Sequence, residues 1–170
     1  MQVEIKFNDW KPQIVCLCGS TRFMDAFRTE NVRLTLAGTV VLSVGCDTKS
    51  DDQLGITDAQ KVELDRLHLK KIEMADYVRM LNVGGYVGTS EAREFAFARW
   101  IGKPVTWLEE YPTIGATKQK NTSGAFVYSR ELNIGHAPVL TEDSAKRLVE
   151  AAEAMKDDPC AVYHFKGNGI

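Results

Sequence analysis

A glutamate at an unexpected place in a helical pattern is the first feature of this sequence that could do chemistry. Glu94, Phe97, Ala98 and Ile101 follow the spacing i, i+3, i+4, i+7, which places four side chains on one helix face. Such a face packs against a core, and burying a carboxylate without a partner is costly. Either an arginine pairs with Glu94, or its carboxylate faces a pocket where it is used.

The segment before this helix, "NVGGYVGTS", contains three glycines and several side chains that could hold a ligand. Gly85 and Gly88 allow a backbone to approach a ligand closely. Tyr86 either stacks on a flat ring or anchors the loop through its hydroxyl. The hydroxyls that open the helix suit a phosphate or a sugar, and they belong to Thr89 and Ser90.

A second glycine turn, "CGSTRF", follows an apolar strand and opens another helix. Gly19 allows close approach of a ligand, and the N–H groups at a helix start favour a phosphate or sugar hydroxyl. Ser20 is a candidate to cap this helix and to contact a ligand, two roles that can coexist, and Thr21 offers a second hydroxyl. The sequence contains neither G-x-G-x-x-G nor G-x-x-x-x-G-K-[ST], so dinucleotide and nucleoside-triphosphate motifs are not indicated.

The cysteines and histidines do not show the spacing of a metal site. Cys16 and Cys18 alternate along one strand and so lie on one of its faces, which indicates buried thiols rather than a zinc or redox site. The histidines, His68, His136 and His164, are isolated from one another. We therefore expect no metal and no organic cofactor.

Four apolar segments alternate with helical patterns along the chain, and they read "QIVCLC", "TVVLSVG", "DYVRMLNV" and "PVTWLE". Strands that are nearly continuously apolar favour a parallel sheet covered on both faces. The sequence thus predicts an α/β, flavodoxin-like doubly wound parallel sheet of four to five strands with helices on both faces. Ligands bind such sheets beyond the carboxyl ends of the strands, where both glycine turns fall.

Two of the helices have readable boundaries. The first has apolar residues at Phe23, Phe27, Val32 and Leu36, and it ends before Gly38. The second is predicted over 58–74, since Thr57 and Gln60 have the spacing of a capping box.

The chain is predicted to be one domain over 1–170, with 111–170 a C-terminal extension packed on the 13–109 core. A helix begins after Thr141, its expected N-cap, and ends before Pro159. "FVYSREL" and "CAVYHF" are candidate strands, and the acidic segment 46–52 is either a lid over the site or a solvated loop.

Composition excludes several classes of partner. The 170 residues are 44% hydrophobic with a formal net charge of −2, and lysine and arginine are scattered, so neither nucleic acid nor an anionic membrane is an expected partner. No apolar segment has the length of a membrane span, and the first residues lack the apolar centre of a signal peptide. We expect a reduced, cytoplasmic protein.

Three segments together resemble the nucleoside 2-deoxyribosyltransferase-like family, especially a bacterial and phage branch. They are "CGSTRF", "LDRLHLKKIEMADYVRMLNVGGYVGTSEAREFAFA" and "GKPVTWLE", and the resemblance covers about residues 13–109. It implies that Glu94 is the nucleophile in cleavage or transfer at the N-glycosidic bond of a nucleoside or nucleoside 5′-monophosphate. It also implies that the segment Gly19, Ser20, Thr21 and Arg22 holds sugar or phosphate.

The resemblance implies further roles at positions where the residue type differs. His68 stands at the place of a family aspartate, and Asp65 lies one helical turn earlier, so either side chain is a candidate to meet the sugar. Asn82 replaces an aspartate that holds the base, and an amide both donates and accepts hydrogen bonds. The resemblance implies a homodimer or a higher homo-oligomer. The alternative function is a non-catalytic protein on the same fold that binds a nucleotide or an NAD-derived signal.

Overall fold

Four parallel strands form the sheet of this protein. The computed structural model describes residues 10–45, 55–110 and 138–157. The strands are β1 (Ile14–Cys18), β2 (Val40–Leu42), β3 (Tyr77–Met80) and β4 (Val105–Trp107), and their order in the sheet is β2-β1-β3-β4. The register pairs Cys16 with Leu42 and with Val78, and Met80 with Trp107.

Four α-helices accompany the sheet within the described residues. They are α1 (Met24–Leu36), α2 (Asp58–Met74), α3 (Thr89–Trp100) and α4 (Glu142–Asp157). Short 3-10 turns at Thr21–Phe23 and Val83–Gly85 precede α1 and α3. The predicted α/β, flavodoxin-like fold with a parallel sheet is confirmed.

The two faces of β1 contribute to two separate parts of the core. Val15 and Leu17 pack with residues of α1, whereas Cys16 and Cys18 pack with residues of α2, α3 and α4. Alternate residues of a strand point to opposite faces of the sheet, so helices cover both faces as predicted. The face of β1 that carries Cys16 and Cys18 contributes residues to the candidate site described below.

The apolar residues that mark α1 in the sequence do not all lie on its buried face. Val32 and Leu36 are 59% and 84% exposed. The buried residues are Phe27, Glu30 and Leu34, which follow the spacing i, i+3, i+7. The apolar pattern of the sequence does not reveal this face, because a glutamate, Glu30, occupies its central position.

Glu30 is tolerated inside because two arginines hold its carboxylate. Arg33 donates from Nε and from a terminal nitrogen at 2.8 Å each, and Nε of Arg79 on β3 donates at 2.9 Å. The hydrogen bonds from Arg33 and the charge of Arg79 lower the pKa of Glu30, against the effect of burial. The ion pairs therefore tie α1 to the sheet.

The boundaries of α2 agree with the predicted capping box. The hydroxyl of Thr57 accepts from the Gln60 backbone N–H at 3.2 Å, and the Thr57 N–H donates to Gln60 Oε1 at 2.9 Å. Beyond the end of this helix, Oδ2 of Asp76 accepts from the Ile14 N–H at 2.8 Å. The segment between α2 and β3 thus also fixes the start of β1.

Helix α4 packs on α3 of the same chain. Its Thr141 hydroxyl accepts from the Ser144 N–H at 3.2 Å, which confirms the predicted cap. Ala145 and Leu148 are fully buried, and Leu148 joins the core cluster that contains Phe95 of α3. The candidate strands "FVYSREL" and "CAVYHF" and the segment 46–52 lie outside the described residues.

None of the helices in the three described ranges is both long and apolar enough to cross a membrane.

Candidate functional site

The order of the strands reverses direction between β1 and β3. The chain passes from β1 to β2 on one side, and it later places β3 on the other side of β1. This reversal is the position where open α/β sheets bind ligands. The segments that leave β1 and β3 there are the two glycine turns singled out in the sequence.

These two turns contact each other through aromatic and cationic side chains. The guanidinium carbon of Arg22 lies 4.5 Å from the centroid of the Tyr86 ring. The ring of Phe23 meets the Tyr86 ring edge to face at 5.9 Å between centroids. The structure therefore brings the predicted β1 and β3 segments together at one edge of the sheet.

Glu94 lies on α3 with its carboxylate turned inward. Its side chain is 16% exposed, and Oε2 is buried with no hydrogen-bond partner among the described residues. The charged group beside it is His68 on α2, whose Nε2 lies 3.7 Å from Oε2. A buried carboxylate oxygen without a hydrogen bond is rare, and it is a feature of sites where the group has a task.

His68 joins Glu94 to the two cysteines of β1. Its Nε2 lies 3.4 Å from Sγ of Cys18 and 3.9 Å from Sγ of Cys16. Both cysteines are free thiols and fully buried, and the His68 side chain is 10% exposed. Cys16, Cys18, His68 and Glu94 form one compact group, which we call the Glu94 cluster.

Burial and mutual interaction shift the pKa values in the Glu94 cluster. Burial raises the pKa of Glu94 to about 7, although the charge of His68 opposes this shift. Burial alone would lower the pKa of His68, but the charge of Glu94 and the contact with Cys16 raise it to about 9. The hydrogen bond with Cys18 lowers the pKa of Cys16, whereas burial raises that of Cys18.

Tyr86 has neighbours on several sides. Besides Arg22 and Phe23, the guanidinium carbon of Arg147 on α4 lies 6.0 Å from its ring centroid. Arg147 also donates to the Val87 carbonyl at 3.0 Å, so α4 supports this loop. These contacts hold the ring of Tyr86, while anchoring through its hydroxyl and stacking on a base both stay predictions.

Two glycines of the β3 turn have close neighbours, and backbone packing requires a glycine at Gly85. Gly85 has φ of 75°, and a side-chain carbon there would lie 2.9 Å from the Leu140 carbonyl carbon. A side-chain carbon at Gly88 would lie 2.9 Å from the Tyr86 hydroxyl and would collide with Oε2 of Glu91. Gly85 therefore serves the approach of the segment that precedes α4, while Gly88 leaves room for polar groups at the start of α3.

The amide of Asn82 is buried and engaged by the backbone. Its Nδ2 donates to the carbonyls of Glu109 at 3.0 Å and Val139 at 2.7 Å, and its Oδ1 accepts from the Glu109 N–H at 3.0 Å. These bonds join the end of β3 to the segments after β4 and before α4. Contact of Asn82 with a base stays a prediction.

Ser20 does not cap the turn that follows it. Its side chain makes no capping hydrogen bond, and only its carbonyl accepts, from the Phe23 N–H at 2.9 Å. Ser20 and Thr21 are partly buried, and a side-chain carbon at Gly19 would lie 2.8 Å from Cβ of Leu81. The geometry therefore does not support a capping role for Ser20, and its contact with a ligand stays a prediction.

The remaining predicted residues lie on other surfaces of the two helices. Asp65 is half-buried, and its Oδ1 accepts from Nζ of Lys61 at 2.6 Å. Thr89, which is exposed, lines a cleft of about 280 Å³ between α3 and α4 together with Arg93, whereas Ser90 is half-buried. Glu94 is not among the residues that line this cleft.

Sequence reasoning missed that the two cysteines meet His68 and Glu94. A signal was available, because Cys18 is the last residue of β1 and immediately precedes the Gly19 turn. His68 shares the buried side of α2 with Leu69 and Ile72, and this spacing in the sequence indicates a histidine on the inward face. Which face of β1 this helix covers depends on the crossover and is not encoded in either segment alone.

A comparison with protein-family models finds no match to this chain, and a comparison with curated proteins finds none either.

Proposed function

We propose that this protein cleaves or transfers at the N-glycosidic bond of a nucleoside or nucleoside 5′-monophosphate, with Glu94 as nucleophile. The observation that carries the proposal is the inward carboxylate, whose Oε2 has no hydrogen-bond partner among the described residues. It lies on the helix that follows the β3 glycine turn, at the sheet edge where such folds bind ligands. The family resemblance of the sequence supports the same assignment.

The proposed reaction has two steps that conserve the configuration of the sugar. A carboxylate oxygen of Glu94 forms a bond to the anomeric carbon while the bond to the base nitrogen breaks, and the electron pair leaves with the base. The base takes up a proton from solvent. Water or a second base then attacks the glycosyl ester and releases Glu94, as in a retaining glycosidase.

His68 supports the nucleophile in this proposal by its charge. With a pKa raised to about 9, it is protonated at neutral pH and favours the ionised form of Glu94 at 3.7 Å. Burial of this pair limits access of water to the glycosyl ester. Asp65, one turn before His68 on α2, is a second group that could meet the sugar.

The two glycine turns are proposed to hold the sugar and any phosphate. The uncapped Ser20 and the neighbouring Thr21 offer hydroxyls after β1, and Arg22 lies above the Tyr86 ring. After β3, the start of α3 offers N–H groups beyond Gly88 and the hydroxyl of Ser90. In this proposal both turns bind one small ligand, and Gly19 and Gly85 shape them.

A panel assay tests the proposal. The full-length protein is incubated with nucleosides and nucleoside 5′-monophosphates, with and without an acceptor base, and free base is separated and quantified. We expect base release with at least one substrate and loss of release in Glu94→Ala. Full release by the Glu94→Ala variant would contradict the assignment of the nucleophile.

The same assay distinguishes the non-catalytic alternative. A protein that only binds a nucleotide or an NAD-derived signal would be stabilised against heat by its ligand without releasing base. Absence of base release from every substrate, together with ligand-dependent thermal stabilisation, would therefore replace the enzymatic proposal with the binding one.

The proposal also includes an oligomeric state and a cellular location. Several large apolar side chains are exposed on the described surface, among them Leu67, Met74 and Trp100, so a homodimer or a higher homo-oligomer is proposed. Sedimentation measures this directly. A reducing, cytoplasmic location is proposed because Cys16 and Cys18 are free thiols.

A further inference from the structure

We infer that the Glu94 cluster is a binding site for one Zn²⁺ ion, with Cys16, Cys18 and His68 as its three protein ligands and water as the fourth. This inference goes beyond the proposed function and does not rest on it. Thiolate sulfur and imidazole nitrogen are ligand atoms that proteins use for zinc. Two separate elements, β1 and α2, bring these atoms together, and Glu94 on α3 lies beside His68.

The distances from the His68 imidazole to the two sulfurs fit a tetrahedral zinc ion. Zinc bonds of the usual lengths separate a sulfur and a nitrogen ligand by about 3.6 Å, and a nitrogen and an oxygen ligand by about 3.4 Å. Here His68 Nε2 lies 3.4 Å from Cys18 Sγ and 3.9 Å from Cys16 Sγ. It lies 3.7 Å from Glu94 Oε2. The donor atoms of both cysteines and His68 fall within 4.8 Å of one another.

An unsatisfied oxygen supplies an independent reason to place a cation here. Oε2 of Glu94 is buried without a hydrogen-bond partner among the described residues, although it faces the imidazole. A zinc ion held by the two cysteines and His68 places a positive charge near this oxygen. Zinc binds thiolate sulfur and unprotonated imidazole nitrogen, so any protons on the two sulfurs and the proton on Nε2 of His68 are released to solvent as the bonds to zinc form.

The cluster also has a side from which an ion can enter. The cysteines are fully buried, but the side chains of His68 and Glu94 are 10% and 16% exposed.

Cobalt spectroscopy tests the site without reference to any enzymatic activity. The reduced, full-length protein is freed of metal with a chelator and titrated with Co²⁺. To remove the other two thiols of the chain, Cys46→Ser and Cys160→Ser are introduced together. We expect one Co²⁺ per chain, a sulfur-to-cobalt charge-transfer band, tetrahedral visible bands, and displacement by Zn²⁺, which binds more tightly.

Single variants assign the ligands. Cys16→Ser, Cys18→Ser and His68→Gln should each weaken Co²⁺ binding by more than tenfold, whereas His136→Gln is the control that should not. Circular dichroism establishes that each variant is folded. A folded Cys16→Ser/Cys18→Ser double variant that keeps the charge-transfer band would overturn the inference.

X-ray absorption of the unsubstituted, zinc-loaded protein keeps the test independent of how the variants fold. We expect two sulfur ligands at about 2.3 Å and two nitrogen or oxygen ligands. A shell without sulfur, or a shell of four sulfurs, would overturn the inference.

Discussion

At the scale of single residues, the buried carboxylate of Glu94 shows how an unsatisfied polar group, which costs stability, points to function. Leaving a buried acceptor without a hydrogen bond costs about 1–3 kcal/mol, and more when the group is charged. Its Oε2 is in this condition among the described residues, although His68 lies 3.7 Å away. A carboxylate that only stabilised the fold would be expected to have its hydrogen bonds, as Glu30 does with Arg33 and Arg79.

The stability of a Ser20 variant tests whether the Ser20 side chain caps the helix. Because its side chain makes no capping hydrogen bond, Ser20→Ala should change the free energy of unfolding by less than about 0.5 kcal/mol. The matched control is Thr57→Ala, which removes a formed capping box and should cost about 1 kcal/mol. Urea unfolding measures both variants. Equal losses for the two would show that Ser20 does cap its helix.

The hydrogen bonds of Asn82 require an amide, and an aspartate at this position could not make all of them. An aspartate carboxylate cannot donate to the carbonyls of Glu109 and Val139, and it would face both of them in a buried place. Asn82→Asp should therefore lower the free energy of unfolding by about 3 kcal/mol or more. Asn31→Asp is the control, since Asn31 only accepts from Thr35 in its side-chain bond. Similar stabilities of the two variants by urea unfolding would refute the structural role of Asn82.

At the scale of elements, the ion pairs of Glu30 make the attachment of α1 depend on pH. The pKa of Glu30 is lowered below its ordinary value of 4.5 in the folded protein. The stability that it contributes is therefore present above about pH 4.5 and is lost as the pH falls through the lowered value. Glu30→Gln should cost about 1–3 kcal/mol at pH 7 and much less near pH 3.

Unfolding of Glu30→Gln and its parent at both pH values checks this dependence. The control is Glu63→Gln, which removes an exposed partner of Arg66 and should change little at either pH. A cost for Glu30→Gln that is the same at pH 3 and pH 7 would contradict the ion-pair explanation.

The helices and strands also show which features of the fold could be predicted from the sequence. The bounds of α2 were predictable because Thr57 and Gln60 are local to the helix start, and the strands were predictable because their apolar runs are continuous. The inward position of Glu30 was not, because its partner Arg79 lies 49 residues further along the chain. Likewise, Glu94 could be recognised from helix periodicity, whereas the meeting of Cys18 with His68 depends on tertiary packing.

At the scale of the whole molecule, α4 tests whether 138–157 and the sheet form one cooperative unit. Leu148 is fully buried in the core cluster that also holds Phe95 and Trp107. Leu148→Ala should lower the free energy of unfolding by about 2–5 kcal/mol and shift one single transition. Circular dichroism and tryptophan fluorescence, to which buried Trp107 contributes, should coincide. A separate early transition of the helical signal would contradict this description of the domain.

The rate of base release by Glu94→Gln tests the central claim most directly. Glutamine keeps the size of the side chain but cannot form the glycosyl ester as a carboxylate does, so we predict a loss of at least about 1,000-fold in kcat/KM. The control is Glu63→Gln, an exposed glutamate on α2, which should retain the parental rate. With both variants folded and the parent active, a Glu94→Gln rate within tenfold of the parent would contradict the account.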